Sequence, residues 1–214
     1  MNEDGTMARM PDLIKYAQFH GLNIGTIADL IAYRLRNDRI ISRKLDTKLV
    51  SIYGGEFRMI VYTNEVAFAE HIALVKGEIS SDRPTPVRMH ALNVLNDVLG
   101  EKKSGKAGEL QTAMKMISEL DHGIVVLIRE PHPTALSDKI RQNLGQEAIS
   151  GQEIGPGQIL RDYGVGAQIL LDLGVREMIL LANTQHTIVG LEGYGLQVVE
   201  QKSIHLESIS WDGL

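Results

Sequence analysis

The amino-acid sequence predicts an α/β protein with a mixed sheet, formed by hairpin strands in the first half and parallel strand–helix units in the second. Two patterns support this fold class. From residue 110 onward, apolar runs of strand length alternate with stripes of helical spacing. Between residues 48 and 91, strand-like runs are separated by glycine and proline turns. An apolar fraction of 43% and a charged fraction of 23% are typical of a globular domain.

The first 45 residues predict a helical extension made of two short helices and a linker. Pro11 is placed in the first turn of one helix, and Gly21 is placed where that helix ends. Thr26 is an N-cap candidate for a second helix, whose apolar face consists of Ile27, Leu30, Ile31 and Leu35. The charged run 34–39 then indicates a solvated helix end leading into the linker.

Strand signals follow the linker. From Lys48 the sequence predicts a hairpin of strands 49–53 and 57–62 around the turn Gly54-Gly55, and then a strand over 71–76. Two prolines in 82–86 indicate a loop, and a short strand is expected over 87–91. These elements supply the antiparallel half of the predicted sheet.

The second half alternates helices with buried strands. The first helix has a single apolar stripe, made of Leu110, Ala113, Met114, Ile117 and Leu120. A strand is expected over 124–128, a helix within 159–173 that ends at Gly174, a strand over 178–182, a short helix near 187–192 and a strand over 196–200. The tail from Ser203 to Leu214 carries Trp211, which we interpret as a docking anchor.

Charge and cysteine content exclude several classes of function. With 22 Lys and Arg against 27 Asp and Glu, the net charge of -5 argues against binding nucleic acid or anionic membranes through bulk electrostatics. The sequence has no apolar run of roughly 20 residues and no signal-peptide core, so we expect a cytoplasmic protein. The absence of cysteine excludes disulfides, thiolate metal sites and cysteine nucleophiles.

The segment from Asn2 to Arg34, NEDGTMARMPDLIKYAQFHGLNIGTIADLIAYR, resembles the C-terminal end of 3,4-dihydroxy-2-butanone 4-phosphate synthase. The resemblance begins after the acidic catalytic stretch of that family. It therefore implies that residues 1–45 are a synthase remnant and linker, that this chain cannot perform the synthase reaction, and that it is cut from a longer polypeptide.

The segment from Leu49 to Ile204 resembles GTP cyclohydrolase II, in the order found in fused bifunctional riboflavin proteins. The resemblance implies a GTP cyclohydrolase II-like domain over 46–204 followed by a tail over 205–214. The zinc motif of that family, R-V-H-S-E-C, ten residues and C-D-C-G, corresponds to the segment that begins at Arg88 and His90. Its three cysteine positions hold Asn93, Ser104 and Lys106. Because a lysine ammonium repels a metal ion, we expect no zinc and no other cofactor.

Three further signatures of the family are altered. The nucleotide-binding signature R-Q-E-G-R-G-I-G-L before K-I-R corresponds to 129–137 before 139–141; Arg129 is retained, whereas Pro131 and Pro133 remove backbone donors. The signature D-E-R-D-F corresponds to 159–163 and keeps Arg161 but has Ile159 at its acidic position. The signature T-N-N-P-K-K corresponds to 182–187 and has lost its phosphate-binding lysine.

Several charged residues remain open to two interpretations. Arg161, which follows Gly155, Pro156 and Gly157, could hold an anion near a helix start or could be a surface arginine. Lys106, with Lys102 and Lys103, could bind a phosphorylated ligand or could be part of a solvated charged run. His122 and His132 are interpreted as loop histidines rather than as metal ligands together with His90, and Met89, Met114 and Met116 as core residues.

Two functional hypotheses follow. In the first, the chain is a catalytically silent cyclohydrolase II-like module, fused behind a synthase that it stabilises, dimerises or regulates, or for which it recruits a pathway partner. In the second, the remnant cleft binds or processes GTP or another phosphorylated small ligand without a metal, through weak anion contacts with Arg88, Arg129, Arg161 and Lys106. A homodimer is implied by both resemblances, and a fused or docked synthase domain by their order.

Overall fold

The computed structural model describes residues 5–26, 30, 33, 38–65, 69–130, 132–146, 156–183 and 191–204, with the backbone alone for 156–163 and 192. The chain divides into two compact units, Met1–Asp38 and Arg39–Leu214.

The N-terminal unit contains helix α1, Met10–His20. The backbone N–H of Arg9 donates to the Asp12 carboxylate at 3.0 Å, and Gly21 ends the helix in the left-handed conformation at φ 63°. The first predicted helix is thus confirmed, whereas the second lies mostly outside the described residues. Ala17 is buried, but five large apolar side chains of α1 are 41–85% exposed: Met10, Leu13, Ile14, Tyr16 and Phe19.

The larger unit is built on one mixed sheet, which has seven strands within the described residues. They are β1 Ile41–Ser51, β2 Gly55–Asn64, β3 Ala69–Lys76, β4 Thr85–Ala91, β5 Gly123–Ile128, β6 Glu177–Leu181 and β7 Gln197–Lys202. The order across the sheet is β1-β2-β3-β5-β4-β6-β7. The pairs β1–β2, β2–β3 and β3–β5 are antiparallel, while β5–β4, β4–β6 and β6–β7 are parallel. The predicted α/β fold with a mixed sheet is confirmed.

Four helices of the larger unit are described: α2 Val94–Asp97, α3 Glu109–Ser118, α4 Ala135–Asn143 and α5 Pro156–Asp172, together with a 3₁₀ turn at Glu192–Tyr194. The helices predicted around residues 110–120 and 159–173 are confirmed. The short helix predicted near 187–192 and the tail with Trp211 fall almost entirely outside the described residues. None of the described helices has the length and apolar composition to cross a bilayer.

The start of the sheet differs from the prediction. Strand β1 begins at Ile41 instead of near Lys48. The reason is that β1 is an edge strand with most of its side chains exposed, so its first residues, Ile41 to Leu45, carry no apolar alternation. Pairing with β2, from Ile41 opposite Asn64 onward, makes this segment a strand.

Helices α3 and α5 cover opposite faces of the sheet. Strand β5 shows this alternation: Ile124, Val126 and Ile128 pack in the core that includes α5, whereas Val125 packs in the core that includes α3. Gly166 of α5 allows close packing on the sheet, because a Cβ at this position would overlap the side chain of Met89. Close-packed side chains on both faces hold the sheet in place, and the sheet positions the loops at its edges.

Candidate ligand cleft

A cleft of about 290 Å³ opens where the parallel strands β4 and β6 end. Adjacent parallel strands place their carboxyl ends at one edge of the sheet, where α/β proteins usually bind ligands. Val87 of β4 lies opposite Leu180 of β6, so the segments that follow the two strands reach the same space. The first turn of α3 and Lys139 of α4 also line the cleft.

Arg88 and Glu109 form an ion pair in the wall of the cleft. Arg88 Nη2 donates to Glu109 Oε2 at 2.9 Å, and Nη1 donates to the carbonyl oxygen of Leu181 at 3.1 Å. Both side chains are only 11% exposed. Glu109 Oε1 also accepts from Asn183 Nδ2 at 3.2 Å. Arg88, a predicted anion-binding residue, is thus already paired with a carboxylate.

His90 uses both ring nitrogens within the protein. Arg88 Nη2 lies 3.3 Å from Nδ1, and since a guanidinium can only donate, Nδ1 is the acceptor. Nε2 therefore carries the ring proton and donates to Asp97 Oδ2 at 2.9 Å. The side chains of His90 and Asp97 are 8% and 2% exposed. In this arrangement neither nitrogen is free to bind a metal or to accept a proton from a substrate.

Of the three positions that the resemblance assigns to the family cysteines, two have side chains that form local hydrogen bonds. Asn93 caps α2, because its Oδ1 accepts from the backbone N–H of Leu95 at 3.0 Å. Ser104 Oγ donates to Asn96 Oδ1 at 2.8 Å and lies 3.2 Å from the backbone nitrogen of Lys106. The Lys106 side chain is exposed and lines the cleft.

These residues do not fit the zinc site that the resemblance implies. Zinc requires thiolate, imidazole or carboxylate donors, and the three positions offer an amide, a hydroxyl and an ammonium group. Within the described part of the chain, no group of three or more His, Cys, Asp or Glu residues is arranged to hold a metal ion.

Of the two other predicted ligand residues, only Arg129 has a described side chain, and it does not line the cleft. Its guanidinium lies 3.9 Å from Glu70, and its backbone N–H donates to His71 Nδ1 at 3.2 Å. Arg161 belongs to α5, but its side chain is outside the description, as are Pro131 and the segment 184–187. His122 Nε2 lies 3.2 Å from the carbonyl oxygen of Pro84, in keeping with a loop histidine.

Sequence reasoning assigned no role to three charged residues of the cleft, which are Asp97, Glu109 and Lys139. Asp97 ends α2 and Lys139 lies on α4, two helices that were not predicted. A signal for α4 was present, since Leu136, Ile140 and Leu144 recur every four residues. Pro133 obscured it, although it lies before Thr134, whose hydroxyl donates to Asp138 in the first turn of the helix.

Comparison with known proteins places the chain among riboflavin-related sequences. Residues 41–203 match the family described as GTP cyclohydrolase II. The riboflavin biosynthesis protein RibBA of Synechocystis sp. is 40% identical over 215 residues, which cover 97% of this chain and 38% of the relative. RibBA of Bacillus subtilis is 39% identical over 215 residues, covering 97% of this chain and 54% of the relative.

Among solved structures, a crystal structure of RibBX, described as a two domain 3,4-dihydroxy-2-butanone 4-phosphate synthase from A. baumannii, is 30% identical with a TM-score of 0.47. That match covers 97% of this chain and 52% of the other. The chain thus spans about half the length, or less, of the proteins it matches.

Proposed function

Because the chain belongs to the GTP cyclohydrolase II family, we propose that it is a module of riboflavin biosynthesis that does not itself hydrolyse GTP. Its role is structural or regulatory, and its partner is a 3,4-dihydroxy-2-butanone 4-phosphate synthase domain in the same polypeptide. The observation that carries this proposal is the occupation of the three zinc-cysteine positions by Asn93, Ser104 and Lys106.

The surroundings of these positions support the loss of turnover. A cyclohydrolase of this family needs a metal that activates water, and a metal needs deprotonated ligands. Here Asn93 caps a helix and Ser104 bonds to Asn96, while His90 is held between Arg88 and Asp97. The cleft is therefore present at the carboxyl ends of β4 and β6, but these residues do not supply the donors that would bind zinc.

The proposal of a fused synthase rests on the relatives and on the N-terminal unit. The RibBA relatives are named as riboflavin biosynthesis proteins, and this chain covers only part of their length. Residues 1–45 resemble the end of a synthase, and α1 exposes apolar side chains such as Phe19, which is 85% exposed. Apolar helix surfaces of this kind are typical of segments that pack in a larger domain. We infer a cytoplasmic homodimer of the whole polypeptide.

A second candidate function is metal-independent binding of a phosphorylated ligand. The observation that favours it is the presence of Lys106 and Lys139 on different elements around one cleft. Ammonium groups that converge on a cleft attract phosphate, and a metal is not required for that attraction. Arg88 contributes less to such a site because Glu109 already neutralises it.

Calorimetric titration of GTP into the chain, with and without zinc, and a turnover assay on the same samples test the first proposal. We expect no turnover under either condition. Hydrolysis of GTP that increases with zinc would overturn the proposal of a silent module.

The second candidate is tested in the same titration with inorganic pyrophosphate and GTP as probes. Binding that is lost in Lys106→Ala/Lys139→Ala and kept in Lys115→Ala would establish the cleft as an anion site, because Lys115 is an exposed lysine of α3 that does not line the cleft. The absence of binding heat with both probes would eliminate this candidate.

A further inference from the structure

We propose that a hydrogen-bond network centred on Asp97 joins α2, β4 and α3 at the cleft, and that it has replaced a metal ion as the link between these elements. The proposal goes beyond the loss of GTP turnover, since it concerns what stabilises the domain in the absence of a metal.

The connection between β4 and α3 needs tertiary contacts that hold it in place. Between Ala91 at the end of β4 and Glu109 at the start of α3, the only regular element is α2, which has four residues. A helix this short is not stable by itself. A metal bound at positions 93, 104 and 106 would fix both ends of this connection, and structural metal sites contribute directly to folding free energy.

Asp97 supplies the central contacts of the network. Its Oδ2 accepts from His90 Nε2 of β4 at 2.9 Å and from the backbone N–H of Asn93 at 2.7 Å. Its backbone carbonyl accepts from Gln111 Nε2 of α3 at 2.8 Å. One residue thus contacts a strand, the start of its own helix and the following helix, while its side chain is only 2% exposed.

The rest of the connection is fixed by Ser104. Its hydroxyl donates to Asn96 Oδ1 of α2 at 2.8 Å, and its backbone N–H donates to Glu101 Oε2 at 3.0 Å. The replacement at position 104 therefore ties the loop back to α2 near Asp97, whereas a thiolate would tie it to an ion. Of the three altered positions, Asn93 contacts Asp97 through its backbone N–H, and Ser104 bonds to Asn96, the neighbour of Asp97 in the chain.

The two oxygens of Asp97 differ in a way that makes the proposal testable. Oδ2 accepts both hydrogen bonds of the carboxylate, from His90 Nε2 and from the Asn93 N–H. Oδ1 is buried and has no partner in the described part of the chain. An asparagine could place its single oxygen at the Oδ2 position and keep both bonds. Asp97→Asn should therefore preserve most of the network, whereas Asp97→Ala leaves His90 Nε2 and the Asn93 N–H unsatisfied.

The experiment is thermal unfolding of the whole chain, with the metal content measured on the same samples. Asp97→Ala is expected to lower Tm by roughly 5–10 °C and Asp97→Asn by less than half of that. Asp82→Ala, at an exposed loop position, is the matched control and should leave Tm unchanged. Treatment with 1,10-phenanthroline or addition of zinc chloride should leave the Tm of the unaltered chain unchanged.

Coupling between His90 and Asp97 is measured with His90→Ala and the double variant. The double variant should lose clearly less than the sum of the two single variants, because the shared bond can be lost only once. If Asp97→Ala fails to fold, Gln111→Ala removes a single contact of the network and should lower Tm by a few degrees.

Three results would overturn the proposal: a Tm that falls on chelation, a Tm that rises with zinc, or Asp97→Ala behaving like Asp82→Ala. All three concern stability and metal content, so they are independent of GTP hydrolysis. The network can therefore be refuted while the module remains silent in the GTP assay.

Discussion

Two polar clusters of similar composition lie in very different surroundings. The edge cluster consists of Arg43 of β1, Tyr62 of β2 and Asp172 at the end of α5; Asp172 Oδ2 accepts from Arg43 Nε at 2.6 Å and from the Tyr62 hydroxyl at 2.7 Å. The cleft cluster consists of the pairs Arg88–Glu109 and His90–Asp97. The charged side chains of the edge cluster are 38% and 33% exposed, whereas those of Arg88 and Glu109 are 11% exposed.

The comparison indicates that burial, more than geometry, decides how much stability is lost when an ion pair is broken. Water solvates Arg43 and Asp172 when their contact breaks, so losing the pair itself has a small effect. Arg88 has no such alternative, since removing its partner leaves a charge in a poorly hydrated wall. Removing one partner of an ion pair should therefore be more damaging in the cleft wall than at the edge of the sheet.

The largest effect is expected for Glu109→Ala. This change leaves the Arg88 guanidinium without its carboxylate and Asn183 Nδ2 without its acceptor, and breaking a buried pair in this way costs about 3–5 kcal/mol. Urea unfolding measures the loss. Glu109→Gln is the matched control, because it retains one acceptor and most of the volume, and its loss should be intermediate. Equal stability of Glu109→Ala and the unaltered chain would show that water reaches Arg88, which would remove the difference between the clusters.

A buried titratable group without a charged partner sharpens the comparison. His71 of β3 is 2% exposed; Nδ1 accepts from the Arg129 backbone N–H, while Nε2 has no partner within the described residues. Burial, with a smaller contribution from the charge of Arg129, lowers the pKa of His71 to about 4. An unfolded histidine has a pKa of about 6.5, so between these values the unfolded state binds more protons than the folded state.

Stability should therefore fall as the pH falls from about 6.5 to about 4, and His71 should account for up to about 3 kcal/mol of this loss at pH 4. Urea unfolding of the unaltered chain and of His71→Asn at several pH values isolates this contribution, since carboxylates titrate equally in both. Asparagine keeps an acceptor for the Arg129 N–H. Parallel pH profiles for the two proteins would mean that His71 is protonated in the folded state as readily as in the unfolded state.

A smaller effect is expected in the edge cluster. Asp172→Ala should destabilise the domain by about 2 kcal/mol, mainly because the buried Tyr62 hydroxyl loses its acceptor. Burial, together with the bond to Asp172, raises the pKa of Tyr62, so the hydroxyl stays protonated and needs that acceptor. Adding Tyr62→Phe to Asp172→Ala removes the unsatisfied group and should recover most of the loss in urea unfolding. No recovery would assign the effect to Arg43 instead.

The parts of the fold that the sequence predicted are those in which a buried face imposes a period. The stripe of α3 and the apolar run of β5 are examples, because both pack in the cores on either side of the sheet. Strand β1 was misplaced and helix α4 was missed because burial imposes little pattern on them. Leu136 and Ile140 of α4 and Leu144 at its C-cap are 40–66% exposed.

The cleft was predictable only in part. The resemblance could assign the family cysteines to positions 93, 104 and 106, because a motif is a linear pattern. The residues that pair with one another in the wall of the cleft could not be found from a motif. Arg88 and Glu109 are 21 residues apart in sequence, on a strand and a helix, and nothing in the local sequence indicates that they pair. Their contact results from the packing of α3 against the sheet.

The smallest effect is expected for a pair that is close but exposed, Lys48 and Glu56. Lys48 Nζ lies 2.7 Å from Glu56 Oε1, shorter than the 2.9 Å between Arg88 and Glu109, but these side chains are 76% and 58% exposed. Salt and water screen such a pair almost completely. Lys48→Ala, Glu56→Ala and the double variant should therefore all keep the Tm of the unaltered chain at moderate ionic strength. The opposite result would be a clear fall in Tm for each single variant, with no further fall in the double variant. Distance would then matter more than burial, and the ranking of the two clusters would have to be reversed.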